Sequence, residues 1–167
     1  MAAGVPASKI RVFFAGFFSR VMRTRPMQRY FAPFFPPLQM WLYRLTRGKF
    51  QLSALLVPSL VLVHTGAKSG LQRETPLICW PQRDGSYFVA GSNWGQPHHP
   101  AWTANVIAHP EVEMVVSRRR SKATAILLEG TEREAAWPIL EAQWPGYRDY
   151  ERQAGREVRI FRLVPHS

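Results

Sequence analysis

The chain has 167 residues and 46% apolar content, which suits one hydrophobic core and is short for two full domains. Its net charge of +11 is uneven, because 11 Lys and Arg and no Asp or Glu precede Glu74, whereas the remainder carries 11 residues of each sign. This one-ended charge favours a membrane surface or phosphate groups as the partner. It argues against a nucleic-acid module, since the excess charge is not interleaved with the aromatics of the predicted strands.

Cysteine usage and hydropathy narrow the class further. The single cysteine, Cys79, lies in an apolar run and is expected to pack in the core as a small hydrophobe. No group of Cys and His has the spacing of a zinc site, so we expect no metal. No apolar run approaches the roughly 20 residues that span a bilayer, and residues 1–8 lack the features of a secretion signal. We therefore expect a cytoplasmic protein, or one that is peripheral at the inner face of the plasma membrane.

The first 50 residues are basic and rich in Phe. Residues 8–23 place six apolar side chains at helical spacing with Lys and Arg between and beside them, which predicts an amphipathic basic helix. This helix either lies at a membrane interface or packs on the body of the protein, and the lack of acidic residues tips the balance slightly toward the membrane. The prolines at 33, 36 and 37 predict a hinge before a helix over residues 38–46.

Residues 51–167 are expected to form a second part with the pattern of a barrel. Short apolar runs rich in Val, Ile and Thr, bounded by Gly, Pro, Asn or Asp, predict six strands. Asp84 and Gly85 predict a turn, and residues 118–122 predict a basic hairpin tip. The predicted strands cover residues 60–64, 74–80, 87–91, 112–117, 123–129 and 158–164.

Two helices are predicted between these strands. One covers residues 100–108, and the other covers residues 132–143, with Thr131 as its cap and Glu134 as the capping partner. Strands that follow one another without regular alternation with helices argue against a doubly wound sheet. The sequence therefore predicts an α+β fold, a small and mostly antiparallel barrel with flanking helices.

The first candidate site is residues 65–76, where a buried strand ends in a Gly-rich turn. Gly66 and Gly70 allow backbone N–H groups to turn toward an anion, Thr65 and Ser69 add hydroxyl groups, and two cations, Lys68 and Arg73, suit phosphate. The segment is not a nucleotide-binding P-loop, because the required upstream glycine is missing and a strand follows. On composition alone, a phosphate cradle and an ordinary basic hairpin turn remain equally good interpretations.

The second and third candidates are rich in aromatic and small polar residues. Residues 91–105 run from a loop with Ser92 and Asn93 into a helix start, a natural anion site, and carry two tryptophans and Asn105. Residues 144–150 place Trp144, Tyr147 and Tyr150 at intervals of three, which puts them on one face of a helical turn. They either wall an apolar substrate pocket or close one end of the barrel, and spacing alone favours closure.

These segments together resemble a known family. The chain contains L-V-L-V-x-T-G-x-K-S-G-x-x-R-x-T-P-L, then G-S-x-x-G-x-P-x-x-P-A-W-x-x-N-x-x-A-x-P-E-V, then W-P-x-Y-x-x-Y and a closing R-E-V-R-I-F-R-L-V-P. In this order and spacing, over residues 60–165, they resemble the deazaflavin-dependent nitroreductases, split β-barrel (FMN-binding split-barrel-like) oxidoreductases that use coenzyme F-420. The resemblance implies hydride transfer from the reduced deazaflavin to a lipophilic acceptor such as a quinone or a nitro compound.

The resemblance also implies roles for particular residues. Tyr147 and Tyr150 fall on the acceptor side, as catalytic candidates, and share a substrate pocket with Trp144. The family often has Arg, Lys and Tyr where this chain has Ala67, Asn93 and Trp144. The loss of two positive charges predicts a weaker hold on the acidic cofactor tail. Trp in place of Tyr removes a hydroxyl donor at the acceptor, so Tyr147 or solvent would have to deliver the proton. The cofactor-binding positions would be Thr65, Gly66, Lys68, Ser69, Gly70, Arg73, Ser92, Asn93, Trp102 and Asn105.

Alternatives to this activity remain open from the sequence. A split barrel of this kind can instead bind FMN or haem, or it can be non-catalytic and hold a lipid at the membrane. The oligomeric state is not determined by the sequence. The predicted partners are a small lipophilic substrate and an anionic membrane surface, with no nucleic acid.

Overall fold

The computed structural model describes residues 34–46 and 57–166; the predicted basic helix over residues 8–23 lies outside them. Over these described ranges the chain forms six strands, four α-helices and a short 3-10 turn, Asn93–Gly95. In chain order the elements are α1 Phe35–Leu45, β1 Ser59–Thr65, β2 Gln72–Pro81, β3 Tyr87–Ala90, α2 Ala101–Ala108, β4 Glu111–Val116, β5 Arg119–Leu127, α3 Gly130–Gln143, α4 Asp149–Ala154 and β6 Ile160–Pro165.

The six strands close into a barrel. Their order is β1-β2-β3-β6-β5-β4, and every neighbouring pair is antiparallel, including the β1–β4 pair that closes the circle. Closure leaves no unpaired sheet edge, which is how a small all-antiparallel sheet avoids edge-to-edge association. The predicted antiparallel barrel with flanking helices is confirmed.

Strand β1 is buried on both of its faces, which explains its unbroken apolar sequence. Leu60 and Leu62 point into the barrel and belong to its interior cluster, to which every strand contributes. The alternate residues Val61 and Val63 face outward, where Tyr43 of α1 packs against them. Helix α1 therefore serves as a cover for the outer surface of β1.

Helix α2 closes one end of the barrel. Trp102 and Val106, four residues apart on one helical face, are buried in the interior cluster. The Trp102 ring lies 5.4 Å from that of Phe161 between centroids. Cys79 is 1% exposed in the same cluster, as predicted, and burial raises the pKa of its thiol to about 12.

A second apolar cluster lies outside the barrel, between its wall and the two C-terminal helices. Trp80, Phe88, Ala90 and Ile160 from β2, β3 and β6 meet the buried faces of α3 and α4 there. The Trp80 indole N–H donates a hydrogen bond of 3.1 Å to the Leu140 carbonyl. This cluster also contains Trp144, Tyr147 and Tyr150.

The boundaries of three predicted elements were wrong. Ser117 and Arg118, both at positive φ, form a two-residue hairpin turn, and β5 begins directly after it at Arg119. Most of the predicted basic tip therefore lies in the strand. Helix α3 begins at Gly130, after Glu129 as its N-cap, and therefore Thr131 lies inside the first turn and does not cap. Pro36 sits in the first turn of α1 and not in a hinge, because the missing N–H of proline costs nothing at that position.

Among the residues that the structure describes, no helix is both long and apolar enough to cross a membrane.

Candidate functional site

The loop after β1, residues 66–71, is a tight turn shaped by its two glycines. Gly70 has φ of +64°, which favours glycine, and a Cβ at Gly66 would lie 2.6 Å from Oγ of Ser69. The Gly70 N–H donates to the Gly66 carbonyl at 2.8 Å, and the Gly66 N–H donates to the Leu71 carbonyl at 2.9 Å. The turn is therefore held closed by its own backbone.

These internal bonds change how the loop can hold an anion. The glycine N–H groups were expected to face the anion, but both are used within the turn, and the Leu71 N–H donates to Oγ of Ser69 at 3.3 Å. What the loop offers to solvent is the exposed side chains of Lys68, Ser69 and Arg73. Arg73 folds back over the turn, since its Nε lies 3.2 Å from a Cβ built at Gly66. The loop is thus a charged platform that suits a phosphate or carboxylate.

A chain of polar contacts, partly buried, holds this loop, and sequence reasoning missed its buried member, His64. The Ala67 N–H donates to Oδ1 of Asn105 at 2.9 Å. The Nδ2 of that amide lies 3.3 Å from Nδ1 of His64, and Nε2 of His64 lies 3.0 Å from Oγ1 of Thr75. Because the amide nitrogen only donates, Nδ1 of His64 accepts, and the ring proton sits on Nε2. His64 is therefore neutral in this arrangement.

The electrostatics of His64 agree with that assignment. Burial lowers the pKa of the imidazole, and the nearby positive charge of Arg73 lowers it further. A signal in the sequence could have identified His64, because it is the titratable residue of β1 and directly follows the apolar run of residues 60–63, and buried polar groups need partners.

Helix α2 connects this loop to the second candidate segment. Near its start, Thr103 passes so close to Gly91 that a Cβ on the glycine would lie 2.6 Å from Cγ2 of the threonine. Asn105, two residues further and about 3 Å along the helix axis, holds Ala67. One short helix therefore sets the distance between residues 66–71 and residues 91–99.

The second loop has an unusual backbone. Asn93, Trp94 and Gly95 all have positive φ, at 50°, 56° and 74°. Asn tolerates this region better than most residues, whereas Trp does so at a cost in strain. Gly95 is also required by packing, since a Cβ there would lie 2.8 Å from Oε1 of Gln153 and 3.2 Å from the ring of Tyr150. The loop is therefore pressed against α4.

Tyr147 reaches this loop with its hydroxyl group. Its O–H donates to Oγ of Ser92 at 3.0 Å, and the Ala90 carbonyl is a more distant acceptor at 3.4 Å. Burial raises the pKa of the Tyr147 phenol to about 12, although the Ser92 hydrogen bond acts in the opposite direction. The phenol is therefore a protonated donor at neutral pH, and Ser92 keeps its own proton for another acceptor.

The remaining predicted site residues differ in their burial and in their contacts. Tyr150 and Trp144 are 2% and 3% exposed and pack in the outer cluster, Tyr150 with its ring 5.5 Å from that of Tyr147. Trp102 is inside the barrel, so its contribution to a groove is through support of α2. The side-chain amide of Asn93 donates to the His98 carbonyl at 3.0 Å. The structure thus joins Ser92 to Tyr147 and Ala67 to Asn105, and Trp102 and Trp144 lie in the cores.

Sequence reasoning also missed Arg156, which follows α4. Its guanidinium donates to the carbonyls of Ser92, Gln96 and His98 at 3.1, 3.2 and 3.0 Å. The closing R-E-V-R segment carried this residue, but nothing in it points to a loop some 60 positions earlier.

A cleft of about 760 Å³ lies between α2, the start of α3 and the approach to β6. It is lined by His99, Ile107, Thr131 and Arg159 among others, and it contains none of the predicted cofactor or substrate residues. The candidate site is therefore the surface along α2 and not this cleft.

Three features lie on one closed barrel: an exposed cationic turn, a strained polar loop and a tyrosine-serine pair. Together they indicate the class of protein. They fit a split-barrel oxidoreductase that binds a cofactor with an anionic tail and an extended ring. The fit rests on the free charges of Lys68 and Arg73 and on the hydroxyl of Ser92.

Comparison with known proteins identifies the family within that class. The family model for F420H(2)-dependent quinone reductase matches residues 37–165. The chain belongs to this family; it is an oxidoreductase whose cofactor is coenzyme F-420, as predicted, and the FMN alternative is not supported.

Individual relatives agree with the family model. An F420H(2)-dependent quinone reductase of Mycobacterium tuberculosis (strain H37Rv) is 33% identical over 111 residues, which cover 64% of this chain and 73% of the relative. The solved structure of an F420-H2 dependent reductase is 34% identical, with a TM-score of 0.57 over 64% of this chain and 93% of that one. A structure described as a domain-swapped dimer is 29% identical, with a TM-score of 0.59 over 75% of this chain and 96% of its own.

Proposed function

We propose that the chain binds reduced coenzyme F-420 along α2 and uses it to reduce a lipophilic quinone. The phosphate and acidic tail would lie on Lys68, Ser69, Gly70 and Arg73, beside Thr65 and Gly66, and the ring would lie along Ser92 and Asn93. The observation that carries this proposal is that α2 fixes both loops, through Asn105 to Ala67 and through Thr103 to Gly91. A cofactor with a charged tail and a flat ring needs two such supports at a constant separation.

In this proposal the side chains position the cofactor and the quinone and donate a proton. No residue forms a covalent bond with either reactant. The bound reduced deazaflavin supplies a hydride, that is, one proton together with two electrons. A quinone that accepts a hydride becomes a hydroquinone monoanion, which needs one proton. The Ser92 hydroxyl would donate to that oxygen, and Tyr147, which donates to Oγ of Ser92, would replace the proton. Because Tyr147 is buried, its proton would return from solvent through the half-buried Ser92 hydroxyl, as the raised pKa of the phenol favours.

Asn105 and Trp102 would act by positioning. Asn105 has its amide oxygen on the Ala67 N–H and its amide nitrogen on His64, so it orders the cationic loop from the protein side. Trp102 anchors α2 in the barrel interior. Both residues would then affect cofactor affinity without a direct hydrogen bond to the cofactor.

The acceptor would approach the Ser92 hydroxyl from the side of residues 144–150. Trp144, Tyr147 and Tyr150 are buried beneath the loop, so they would support the floor of an acceptor pocket and would not form its open surface. We propose nitro compounds as a second acceptor class, because a nitro group also takes a hydride and a proton and also presents oxygen atoms to Ser92. Tyr150 would shape this pocket through its ring contact with Tyr147.

The second part of the proposal is that residues 1–50 bring the protein to an anionic membrane surface, and that residues 51–167 form the cofactor-binding part. Helix α1 supports this, because Phe34, Leu38, Trp41 and Leu45 recur at intervals of three and four and are 47% to 71% exposed. An exposed apolar stripe on a segment without acidic residues suits insertion between anionic lipid headgroups. A quinone acceptor dissolved in the same bilayer would then be close to the site.

Vesicle sedimentation tests the membrane part. Vesicles with anionic lipid should bind the protein, and deletion of residues 1–25 together with Trp41→Asp should abolish binding, with neutral vesicles as the control. Binding that survives both changes would contradict the membrane role of this segment.

Titration with oxidised coenzyme F-420, followed by fluorescence quenching, tests the site. The double variant Lys68→Ala, Arg73→Ala should weaken binding at least about tenfold, since each charge-assisted contact is worth about 1.5 to 3 kcal/mol. Arg119→Ala is the matched control. Arg119 lies at the other end of the barrel, because β4 pairs with β1 so that its C-terminal end lies near the start of β1. Equal affinity of the double variant and the control would contradict the placement of the tail.

A further inference from the structure

Arg156 directs four of its five N–H donors to the segment that carries Ser92 and Asn93. Nε donates to the Gln96 carbonyl at 3.2 Å, and Nη2 donates to the carbonyls of Ser92 and His98 at 3.1 and 3.0 Å. Nη1 donates to Nδ1 of His99 at 3.1 Å and to the Glu157 carbonyl at 3.2 Å. A guanidinium has five donors in a fixed plane, and here each has an acceptor within 3.2 Å.

The loop needs this support because its backbone is strained. Its 3-10 turn has two internal backbone bonds, from Gly95 to Ser92 and from Gln96 to Asn93, at 3.1 Å each. Positive φ at Asn93 and above all at Trp94, which is bulky, disfavours the conformation, whereas Gly95 adopts it freely. Charge-assisted bonds from one arginine to three carbonyls of the loop offset that cost.

The arginine and Tyr147 bind different groups of Ser92. The Ser92 carbonyl accepts from Arg156, and the Ser92 hydroxyl accepts from Tyr147. Both groups come from the part of the chain after α3, more than 50 residues from Ser92 in sequence. The position of the Ser92 hydroxyl is therefore set by two contacts that are independent of the strand that precedes it.

The hydrogen bond between Arg156 and His99 requires a particular protonation state of the imidazole. Arginine only donates, so Nδ1 of His99 accepts the bond from Nη1 and the imidazole is neutral, with its proton on Nε2. Burial lowers the pKa of His99, and the charges of Arg156 and Arg159 lower it further, which agrees with a neutral ring.

We propose that Arg156 is the positioning residue of the ring-binding loop, fixing residues 91–99 in the strained conformation that presents Ser92 and Asn93 to the cofactor. This inference rests on the proposed function for the role of the loop, but the ordering of the loop is a property of the protein without cofactor. Lysine cannot replace arginine here, because an ammonium has three donors and no planar fork.

Chymotrypsin reports on the loop directly, because it cleaves after aromatic residues and Trp94 is the aromatic residue of this loop. Cleavage of a native loop tracks the population of its open form. In Arg156→Ala, cleavage after Trp94, identified by fragment mass, should accelerate at least about tenfold, the equivalent of one charged hydrogen bond. Cleavage at other sites should not accelerate.

The control is Arg152→Ala on α4. Arg152 is a highly exposed arginine, 76% by its side chain, whose ion pair is with Asp149 on the same helix. This variant should match the parent in cleavage after Trp94 and in affinity for oxidised coenzyme F-420. Arg156→Ala should weaken that affinity at least about tenfold, and Arg156→Lys should recover less than half of the lost binding free energy.

Near-UV circular dichroism and thermal unfolding show whether the variants fold. If Arg156→Ala does not fold, Arg156→Lys and Arg156→Gln are compared in its place, and both should loosen the loop. The proposal is overturned if cleavage after Trp94 stays within about twofold of the control, or if the loop loosens while cofactor affinity is unchanged. Failure of the parent protein to bind coenzyme F-420 would contradict the proposed function instead, whatever the cleavage pattern.

Discussion

The side-chain oxygen of Asn105 accepts a hydrogen bond of 2.9 Å from the backbone N–H of Ala67, across 38 positions of sequence. This bond directs the Ala67 N–H into the protein and away from any bound anion. It also makes Asn105 the residue through which α2 controls the cationic loop. The loop therefore binds anions with its side chains, and its backbone serves to keep those side chains in place.

Replacement of Asn105 tests that relationship. Asn105→Ala should leave the Ala67 N–H and Nδ1 of His64 without their partner and lower the free energy of unfolding by about 1 to 3 kcal/mol. Affinity for coenzyme F-420 should fall as well, because the cationic loop loses its support. Urea unfolding and fluorescence titration measure the two effects, with Thr131→Ala as a control that should be neutral. An unchanged affinity in a destabilised Asn105→Ala would restrict this residue to folding.

Removal of the Tyr147 hydroxyl tests the proton path. Tyr147→Phe keeps the ring contacts with Trp80 and Tyr150 and removes the donor to Ser92. The rate of quinone reduction should fall by about 100-fold, the lower end of the range for positioned proton transfer, with little change in cofactor affinity. Tyr87→Phe, a half-buried tyrosine of β3, is the matched control. A turnover equal to that of the control would remove Tyr147 from the mechanism.

Ala67 is the position where added charge should help. Its side chain is exposed beside Lys68, and its backbone is already fixed by Asn105, so a longer side chain meets no packing obstacle among the contacts described. Ala67→Arg should tighten binding of coenzyme F-420 by about three- to tenfold at low salt, and the gain should shrink as salt increases. Ala67→Gln controls for side-chain length. Equal gains from Arg and Gln would show that charge is not the cause.

The fold could be predicted from the sequence because its signals are local. An unbroken apolar run gave β1, and turn residues such as Asp84 and Gly85 separated β2 from β3, where the Ser86 backbone N–H bonds the Asp84 carboxylate. The predicted boundaries were wrong where a local sequence pattern was compatible with two different helix or strand ends. Thr131 followed by Glu134 has the spacing of a capping box, but Glu129 is the N-cap of α3, and Glu134 pairs instead with Arg133 and Arg148.

The site was only half predictable, for a related reason. Lys68, Ser69 and Arg73 are neighbours in sequence, so their shared turn is visible in the chain. The contacts of His64 with Asn105 and of Arg156 with Ser92 join residues 41 and 64 positions apart. Such contacts arise from barrel closure and leave no periodic signal. The resemblance to a family identified the cofactor, and the structure identified the contacts that hold the two loops.

The neutral state of His64 predicts a pH dependence of stability. Above pH 6.5, the ordinary pKa of histidine, the ring is neutral in both the folded and the unfolded chain and contributes no slope. Below it, the unfolded chain takes up a proton that the folded chain resists because its pKa is lowered, so the free energy of unfolding falls as pH falls. His64→Gln, which keeps a donor and an acceptor, should lose this component. Difference curves from urea unfolding between pH 8 and pH 5 measure it, and parallel curves would contradict the assignment.

The most direct test of the central claim is the oxidation of reduced coenzyme F-420 by a soluble naphthoquinone in the presence of the purified protein. The account predicts catalysed transfer that saturates in both reactants, is retained in Arg119→Ala and is strongly reduced in the Lys68→Ala, Arg73→Ala double variant through a raised KM for the cofactor. No acceleration over the uncatalysed rate, with cofactor shown to bind, would contradict it.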